Sequence, residues 1–202
     1  DAARGQYAAG SELGAAVKAY RAEDHVSPQS NTLTYAALKL TIDNPRWAGV
    51  PFYLRTGKRL AERRTEVAIH FKKPASALLP AEPNLIRLQM DPIEGTATSF
   101  AVKLPGPKMR LATATSLFRY ADLFPRQPTV GYEGLLYGCM TGDATLFQRA
   151  DMIEGSWAAV QPLLDAWAEG SPESYAAGSA GPAGADALLA RDGRAWLPLG
   201  TG

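Results

Sequence analysis

The sequence predicts an α+β fold, in which a large, mostly antiparallel sheet has helices packed on one side. In the middle of the 202-residue chain, short segments alternate apolar and polar residues, and short loops without helical patterns join them. Strands that follow one another in this way pair mostly antiparallel. After Pro128 the apolar spacing changes to that of amphipathic helices. With 46% hydrophobic residues, residues 1–202 are expected to form a single domain with a substantial core.

The strands are predicted from residue type and alternation. Residues 1–31 are rich in Gly, Ala and Ser, which indicates mostly irregular or extended chain. From Thr32 to Ile42 the β-branched and aromatic residues favour a strand. Further alternating segments predict strands at 67–72, 85–90, 96–103 and 110–118, and the residues between the last two predict a turn.

Helical patterns fill most of the last third of the chain. A short helix begins near Tyr132 and is closed by Gly142, and a longer helix begins at Asp151. Pro162 falls inside the longer pattern and predicts a kink or a split, because proline has no backbone N–H to donate. Residues 171–186 predict a loop before a final short helix at Ala185–Arg191. The apolar stripe of the longer helix consists of Ile153, Trp157, Val160, Leu164 and Trp167.

The composition argues against several classes of function. The net charge is +1, whereas a nucleic-acid binder of this size usually has a larger basic excess. The single cysteine, Cys139, makes no internal disulfide and is predicted to be a buried small hydrophobe in a reducing compartment. His25, His70 and Cys139 do not have the spacing of a metal site.

The N-terminus and the hydropathy predict where the protein resides. No apolar stretch approaches the roughly 18 residues that cross a bilayer, so no membrane is expected as a partner. The first residues lack a signal-peptide core, and we expect a cytoplasmic protein. The chain begins without methionine, in the middle of a motif, and is expected to be a fragment.

A basic segment, Arg46–Glu66, is the strongest candidate for binding. The apolar run Val50–Leu54 predicts a strand that leads into Arg55-Thr56-Gly57-Lys58-Arg59, and Arg63 and Arg64 follow closely. A strand that ends in a glycine-containing basic turn holds cations at a fixed place, which suits a phosphate or a carboxylate. The alternative is a solvated basic surface that Glu62 and Glu66 partly neutralise.

Arg87 and Gln89 form a second candidate. Residues two apart in a strand point to the same face, and this face is opposite to that of Ile86, Leu88 and Met90. The sheet is therefore predicted to bury the apolar side and to present a polar row that binds hydroxyls or an anion. Ordinary solvent-facing polar residues are the alternative.

Motifs for catalysis and for coenzyme binding are missing from the sequence. No GxGxxG follows a strand, no GxxxxGK[ST] occurs, and no set of nucleophile, base and orienting residue can be assembled. No catalytic residue is therefore assigned, and the chain is predicted to have a binding and scaffolding role.

Eight segments give the chain a family resemblance. They are Arg4–Tyr7, Tyr35–Leu40, Val50–Lys58, Asn84–Gln89, Leu135–Tyr137, Gly142–Phe147, Trp157 and Gly178–Pro182. Together they resemble the C-terminal domain of glucose-6-phosphate dehydrogenase. The resemblance implies an enzyme that oxidises glucose 6-phosphate to 6-phosphogluconolactone in the pentose phosphate pathway, with NADP as the hydride acceptor.

The resemblance also implies which parts of the enzyme lie elsewhere. An N-terminal Rossmann domain of the same polypeptide would hold the coenzyme, the catalytic histidine and the main phosphate-binding motif, so the chain is predicted to be inactive alone. The C-terminal domain would supply the sheet, part of the sugar-phosphate pocket and the interface of a homodimer or dimer of dimers. A stand-alone, non-catalytic module for dimerisation or sugar-phosphate binding is the alternative.

The family's binding residues carry over by position. Lys58, Arg63 and Gln89 resemble substrate contacts. Arg55, Arg64 and Arg87 match positions that bind a second, structural NADP in some members; those members have an arginine where this chain has Ala180. Gly134 and Gly138 replace residues that are usually charged; each costs about 1 kcal/mol of helix propensity and is predicted to weaken contacts with the missing half.

Overall fold

The computed structural model describes residues 1–73, 82–124 and 131–198. Its strands are β1 (Ala2–Ala8), β2 (Gly10–Glu12), β3 (Ala15–Val17), β4 (Tyr35–Leu40), β5 (Phe52–Gly57), β6 (Thr65–His70), β7 (Leu85–Asp91), β8 (Gly95–Lys103), β9 (Leu111–Arg119) and β10 (Glu173–Ala176). Its helices are α1 (Tyr120–Leu123), α2 (Glu133–Thr141), α3 (Ala150–Ala166) and α4 (Ala183–Ala190).

The chain divides into two compact units. The first takes in Asp1–Glu62 and the described part of Val130–Leu199, and the second takes in the described part of Arg63–Thr129. The sheet of the first unit has the order β10-β1-β4-β5, in which only the β1–β10 pairing is parallel. A short hairpin, β2–β3, belongs to the same unit. That residues 1–202 form a single domain stays a prediction.

The core of the first unit is built from tyrosines and small residues. Tyr35 and Ala37 of β4 are 1% and 0% exposed, and α4 packs against β1 and β4 with Leu188 and Leu189. The ring of Tyr175 meets that of Tyr35 edge to face, with centroids 5.6 Å apart. Buried aromatic rings prefer this geometry because the positive edge of one ring meets the negative face of the other.

The sheet of the second unit is antiparallel throughout, in the order β6-β7-β8-β9. Its faces are the reverse of the prediction. Arg87 and Gln89 are 9% and 8% exposed, whereas Leu88 and Met90 are 40% and 48% exposed. Alternation shows which residues share a face, but it does not show which face is covered.

The α+β class and the mostly antiparallel pairing are confirmed, and the predicted large sheet is distributed over the two four-stranded sheets. One predicted loop is wrong, because residues 171–186 contain β10, whereas residues 1–31, predicted as irregular or extended chain, contain the strands β1–β3. Pairing with distant strands orders these Gly- and Ala-rich segments, and local propensity does not report such pairing. The predicted split at Pro162 is also absent, because α3 runs through it.

The helices α2 and α3 are largely exposed. α3 has no buried residue, and Gly138 is the one buried residue of α2. The prediction that Cys139 is buried is therefore wrong, because its side chain lies on a largely exposed helix. Within the described ranges, no helix combines the length and the apolar character that crossing a membrane needs.

Candidate functional site

The backbone of Lys58 is held from two sides. Its N–H donates to the carbonyl oxygen of Thr34 at 2.8 Å, and its carbonyl oxygen accepts a bond from the hydroxyl of Tyr175 at 2.7 Å. We call these two bonds the Lys58 clamp. The side chain of Lys58 itself is exposed. The clamp thus fixes the base of a flexible side chain and leaves its ammonium group accessible.

The rest of the basic turn rests on the segment after β10. The N–H of Gly178 donates to the carbonyl oxygen of Arg59 at 2.8 Å, and the N–H of Ala61 donates to the carbonyl oxygen of Ser179 at 2.9 Å. The guanidinium of Arg59 forms an ion pair with Glu12 at 2.8 Å, and this hydrogen bond raises the pKa of Arg59. The sequence did not show these partners, because most of them lie in regions predicted to be irregular.

Packing in the core requires glycine at position 57, immediately before Lys58. A Cβ atom at Gly57 would lie 2.6 Å from the ring of Tyr35, closer than real side chains approach. Tyr35 is buried, and burial raises its pKa to about 12. Burial also raises the pKa of Tyr175. Both phenols are therefore neutral near pH 7, and the Tyr175 hydroxyl acts as the donor in the clamp.

Arg55 lies on the same strand and lines a cavity of about 310 Å³ in the first unit. Its guanidinium lies over the ring of Trp196 at 4.7 Å and donates to the carbonyl oxygen of Leu197 at 3.0 Å. The cavity wall also includes Ala180, Asp186, Arg194 and Pro198. The segment that contains Trp196 and Leu197 therefore already accepts one of the N–H donors of Arg55.

A polar row crosses the whole sheet of the second unit. Glu66, Gln89, Gly95 and Arg119 lie opposite one another on β6 to β9. Gly95 adds no side chain to the row, and a Cβ atom there would lie 2.3 Å from the backbone carbonyl oxygen of Phe118. The Nε atom of Arg119 is buried and has no hydrogen-bond partner among the described residues. Arg119 was not predicted from the sequence, since the four-strand register that places it in this row cannot be derived from local pattern.

The other predicted cations of the second unit have acidic partners or are buried. Arg63 is 87% exposed at its side chain and pairs with Asp91 at 2.9 Å. Arg64 lies 3.7 Å from Glu66, and both side chains are mostly buried. Arg87 faces the same side of the sheet as Gln89. The structure thus places Arg63, Arg64, Arg87 and Gln89 in the second unit and Arg55 and Lys58 in the first.

Each of the two units presents groups of the kind that bind anions. The described residues contain no group of three or more histidine, cysteine or acidic side chains that could hold a metal ion. The cations and the amide are suited to phosphate and hydroxyl groups. These features define an α+β protein that has basic groups on both compact units and a buried amide on the second.

Comparisons with known proteins identify the family. The family model for the C-terminal domain of glucose-6-phosphate dehydrogenase matches residues 1–197. A glucose-6-phosphate 1-dehydrogenase of Chlamydia muridarum is 44% identical over 206 residues, which cover 97% of this chain and 41% of the relative. That of Aggregatibacter actinomycetemcomitans is 45% identical over 195 residues, which cover 95% and 40%. The chain therefore belongs to the glucose-6-phosphate dehydrogenase family, as the resemblance predicted, and spans about two fifths of these relatives.

Solved structures agree with this assignment. A glucose-6-phosphate dehydrogenase in complex with its substrate glucose-6-phosphate matches 98% of this chain and 41% of its own, with a TM-score of 0.86 and 28% identity. The crystal structure of the enzyme from Mycobacterium avium matches 100% of this chain and 41% of its own, with a TM-score of 0.78 and 34% identity.

Proposed function

We propose that this chain is the C-terminal part of an NADP-dependent glucose-6-phosphate dehydrogenase. The complete enzyme would oxidise glucose 6-phosphate to 6-phosphogluconolactone in the pentose phosphate pathway of glucose metabolism. The observation that carries the proposal is the Lys58 clamp, which fixes the backbone of an exposed lysine in a turn that resembles the family's substrate-binding turn. A relative with the same fold is described in complex with that substrate.

Each of the three proposed substrate contacts would have a distinct role. The ammonium of Lys58 would donate hydrogen bonds to oxygen atoms of the sugar phosphate. Arg63 would exchange its exposed partner Asp91 for the phosphate, since a surface ion pair is weak and easily replaced. The amide of Gln89 can both donate to and accept from a sugar hydroxyl, although it has the least solvent access of the three.

We propose that the reacting coenzyme and the catalytic groups belong to the rest of the polypeptide. NADP would accept the hydride there, and the described residues would bind and orient the sugar phosphate. The chain alone is expected to produce no NADPH from glucose 6-phosphate and NADP. Measurable NADPH formation by the purified chain would contradict this part of the proposal.

Binding of a second, structural NADP stays a prediction, and the residues of the first unit support it only in part. Arg55 lines a cavity, but its guanidinium already contacts Trp196 and Leu197. Ala180 lines the same cavity at the position where members with this nucleotide have arginine. In the second unit, Arg64 pairs with Glu66 and Arg87 is buried. The described residues therefore supply only part of what a site for this nucleotide would need.

We further propose that the exposed apolar face of the second sheet forms the interface of a homodimer or dimer of dimers. Val67, Ile69, Leu88 and Met90 are between 40% and 48% exposed on this face. Exposed apolar side chains that share one face are typical of protein–protein contacts. A cytoplasmic location is also proposed.

Steady-state kinetics of the full-length gene product would test the substrate role. Lys58→Ala is expected to raise KM for glucose 6-phosphate roughly 10- to 100-fold, because a hydrogen bond to a charged group contributes about 1.5–3 kcal/mol. KM for NADP is expected to change less than about twofold. Lys18→Ala is the matched control, since Lys18 lies in the same unit and pairs with Asp24. An unchanged KM in Lys58→Ala would exclude Lys58 as a substrate contact.

A stand-alone module for dimerisation or sugar-phosphate binding is the second candidate function. The exposed Lys58 and the exposed apolar face of the second sheet are the features that such a module would use. The intact mass of the native gene product separates the two proposals. A mass well above 21.6 kDa supports the dehydrogenase, and a mass near 21.6 kDa supports the module.

A further inference from the structure

Arg59, the residue that follows Lys58, has a strained backbone. Its φ of 53° lies in the left-handed region, which residues other than glycine avoid because Cβ comes too close to the following carbonyl oxygen. In the described part of the chain, Leu13 and His25 are the other non-glycine residues with a positive φ. Such a conformation persists only where the surrounding contacts hold it, and it is concentrated at functional sites.

The backbone around Arg59 is anchored to the segment that follows β10. The N–H of Gly178 donates to the carbonyl oxygen of Arg59, and Leu60 forms a parallel bridge with Ser179. Glycine is required at position 178, because φ is 83° there and a Cβ atom would lie 1.9 Å from the carbonyl oxygen of Ser11. Gly178 therefore lies between the turn that contains Arg59 and the β2–β3 hairpin, and it contacts both.

The β2–β3 hairpin is fixed to the same segment by its backbone. The N–H of Ser11 donates to the carbonyl oxygen of Ala177 at 3.2 Å. A Cβ atom at Gly10 would lie 2.2 Å from that oxygen, so only glycine lets β2 come this close. Glu12, the next residue of β2, lies opposite Ala15 in the hairpin. The backbone of Glu12 is thus held in place by contacts that do not involve its side chain.

The side chain of Arg59 closes a ring of contacts. Its guanidinium forms an ion pair with Glu12 at 2.8 Å, in which the Glu12 side chain is 31% exposed. The ring runs from Arg59 through Gly178, Ala177, Ser11 and Glu12 and returns to Arg59. Because the backbone of Glu12 is fixed, the ion pair loses less side-chain entropy than one between two mobile residues. The Arg59–Glu12 ion pair therefore restrains the backbone of Arg59 as well as its side chain.

We infer that Arg59 is a positioning residue for Lys58, held in its left-handed conformation by the ion pair with Glu12. Without the ion pair, Arg59 would relax towards the ordinary regions of φ and ψ. That change rotates the peptide group between Lys58 and Arg59 and displaces the lysine side chain. The inference deepens the proposed function and rests on it, since it takes Lys58 as a substrate contact. Of the two adjacent cations, Arg59 is neutralised by Glu12, and Lys58 would bind the sugar phosphate.

Steady-state kinetics of the full-length gene product would test this inference. Glu12→Gln removes the charge from the ion pair without changing a backbone contact, and Arg59→Ala removes the whole side chain. Each is expected to raise KM for glucose 6-phosphate about 3- to 10-fold, because a displaced binding group weakens the contact that it makes. KM for NADP is expected to change less than about twofold.

A conservative variant and a matched control accompany these two substitutions. Arg59→Lys can still pair with Glu12, since the ion pair uses one guanidinium nitrogen, and it is expected to keep KM within about twofold of the wild-type value. Asp24→Asn is the control, because it breaks an exposed ion pair of 2.9 Å with Lys18 elsewhere in the first unit. It is expected to leave KM for glucose 6-phosphate unchanged. A KM in Arg59→Lys as high as that in Arg59→Ala would overturn the inference.

Combination with Lys58→Ala separates positioning from direct contact with the substrate. If Arg59 acts only through Lys58, Arg59→Ala in the Lys58→Ala background is expected to change KM by less than about a further twofold. Effects that multiply would mean that Arg59 contacts the substrate itself, and they would overturn the inference. A lower KM in Glu12→Gln would overturn it as well, since release of Arg59 would then strengthen binding of the phosphate.

The failure of the proposed function gives a different result. A full-length product that does not oxidise glucose 6-phosphate would refute the dehydrogenase assignment and this inference with it, and so would an unchanged KM in Lys58→Ala for the substrate role. A raised KM in Lys58→Ala with an unchanged KM in Glu12→Gln and Arg59→Ala would refute the inference alone. Equal increases in KM for both substrates would also refute it, because general loosening of the fold does not distinguish them. Glu12→Gln decides the case if Arg59→Ala does not fold.

Discussion

Lys58 and Arg63 belong to the same basic segment, but the structure fixes them in different ways. The backbone of Lys58 is bonded to the half-buried Thr34 and to the buried Tyr175, and its side chain is exposed. Arg63 has an exposed side chain whose contact is the ion pair with Asp91. The position of Lys58 therefore depends on the core of the first unit, whereas that of Arg63 depends on a solvent-exposed charge pair.

The two residues differ in how much free energy the contacts that position them contribute. A buried backbone carbonyl that loses its donor costs about 1–3 kcal/mol, because it cannot bond to water instead. An exposed ion pair contributes about 0.2–1 kcal/mol and weakens with salt. Substitutions around Lys58 are therefore expected to affect stability and substrate binding together, and substitutions around Arg63 are expected to separate them.

The largest effect is expected from Gly57→Ala. The added methyl group would lie 2.6 Å from the ring of Tyr35, and neither β5 nor the buried ring can move away without disturbing the core. We expect a loss of about 3 kcal/mol in the free energy of unfolding, measured by urea denaturation. Gly155→Ala is the control, since its Cβ atom meets nothing within 4 Å on helix α3 and is expected to be neutral or stabilising. Equal stability of the two variants would mean that Tyr35 does not constrain the turn.

The ionisation of Tyr35 gives the next largest effect. Burial raises the pKa of Tyr35 from 10.0 to about 12, so the folded state favours the protonated phenol. The contribution of Tyr35 to the free energy of unfolding, roughly 2–3 kcal/mol, is fully present below pH 10. This contribution is lost as the pH rises from 10 through about 12. The measurement is the free energy of unfolding against pH.

Tyr35→Phe is the matching variant for this pH dependence. The Tyr35 hydroxyl is buried without a hydrogen-bond partner among the described residues, so its removal is expected to stabilise the chain by about 1 kcal/mol at neutral pH. The decline in stability between pH 10 and 12 should become shallower, although Tyr7 and Tyr175, whose pKa values burial also raises, still contribute. An identical pH profile in Tyr35→Phe would contradict the assignment.

Tyr175→Phe tests the Lys58 clamp directly. It removes the hydroxyl that donates to the carbonyl oxygen of Lys58 at 2.7 Å. We expect a loss of about 1–2 kcal/mol in the free energy of unfolding and a higher KM for glucose 6-phosphate in the full-length protein. Tyr53→Phe is the control, because the Tyr53 hydroxyl bonds to Asp192 at an exposed position. A KM that changes equally in both variants would show that the clamp does not position Lys58.

Lys58 and Tyr175 also show what the sequence could and could not reveal. The strand and the basic turn are evident from Val50–Lys58, because a local motif determines them, and the family is evident from eight such segments taken together. The clamp was not evident, since its donor lies on β10, in a Gly- and Ala-rich stretch whose strand forms only by parallel pairing with β1. Likewise the alternation in β7 correctly separated Arg87 and Gln89 from Leu88 and Met90, but burial of the polar side depends on long-range packing.

The smallest effect on stability is expected at Arg63, where the comparison with Lys58 is sharpest. Because the Arg63 side chain is 87% exposed, a double-mutant cycle with Arg63→Ala and Asp91→Asn is expected to give a coupling energy below about 1 kcal/mol, reduced further in 0.5 M salt. KM for glucose 6-phosphate should nevertheless rise in Arg63→Ala, since its guanidinium would bind the phosphate, and fall or stay constant in Asp91→Asn, which removes the competing carboxylate. If Asp91→Asn raises KM as much as Arg63→Ala does, the ion pair positions Arg63 for the substrate and does not compete with it.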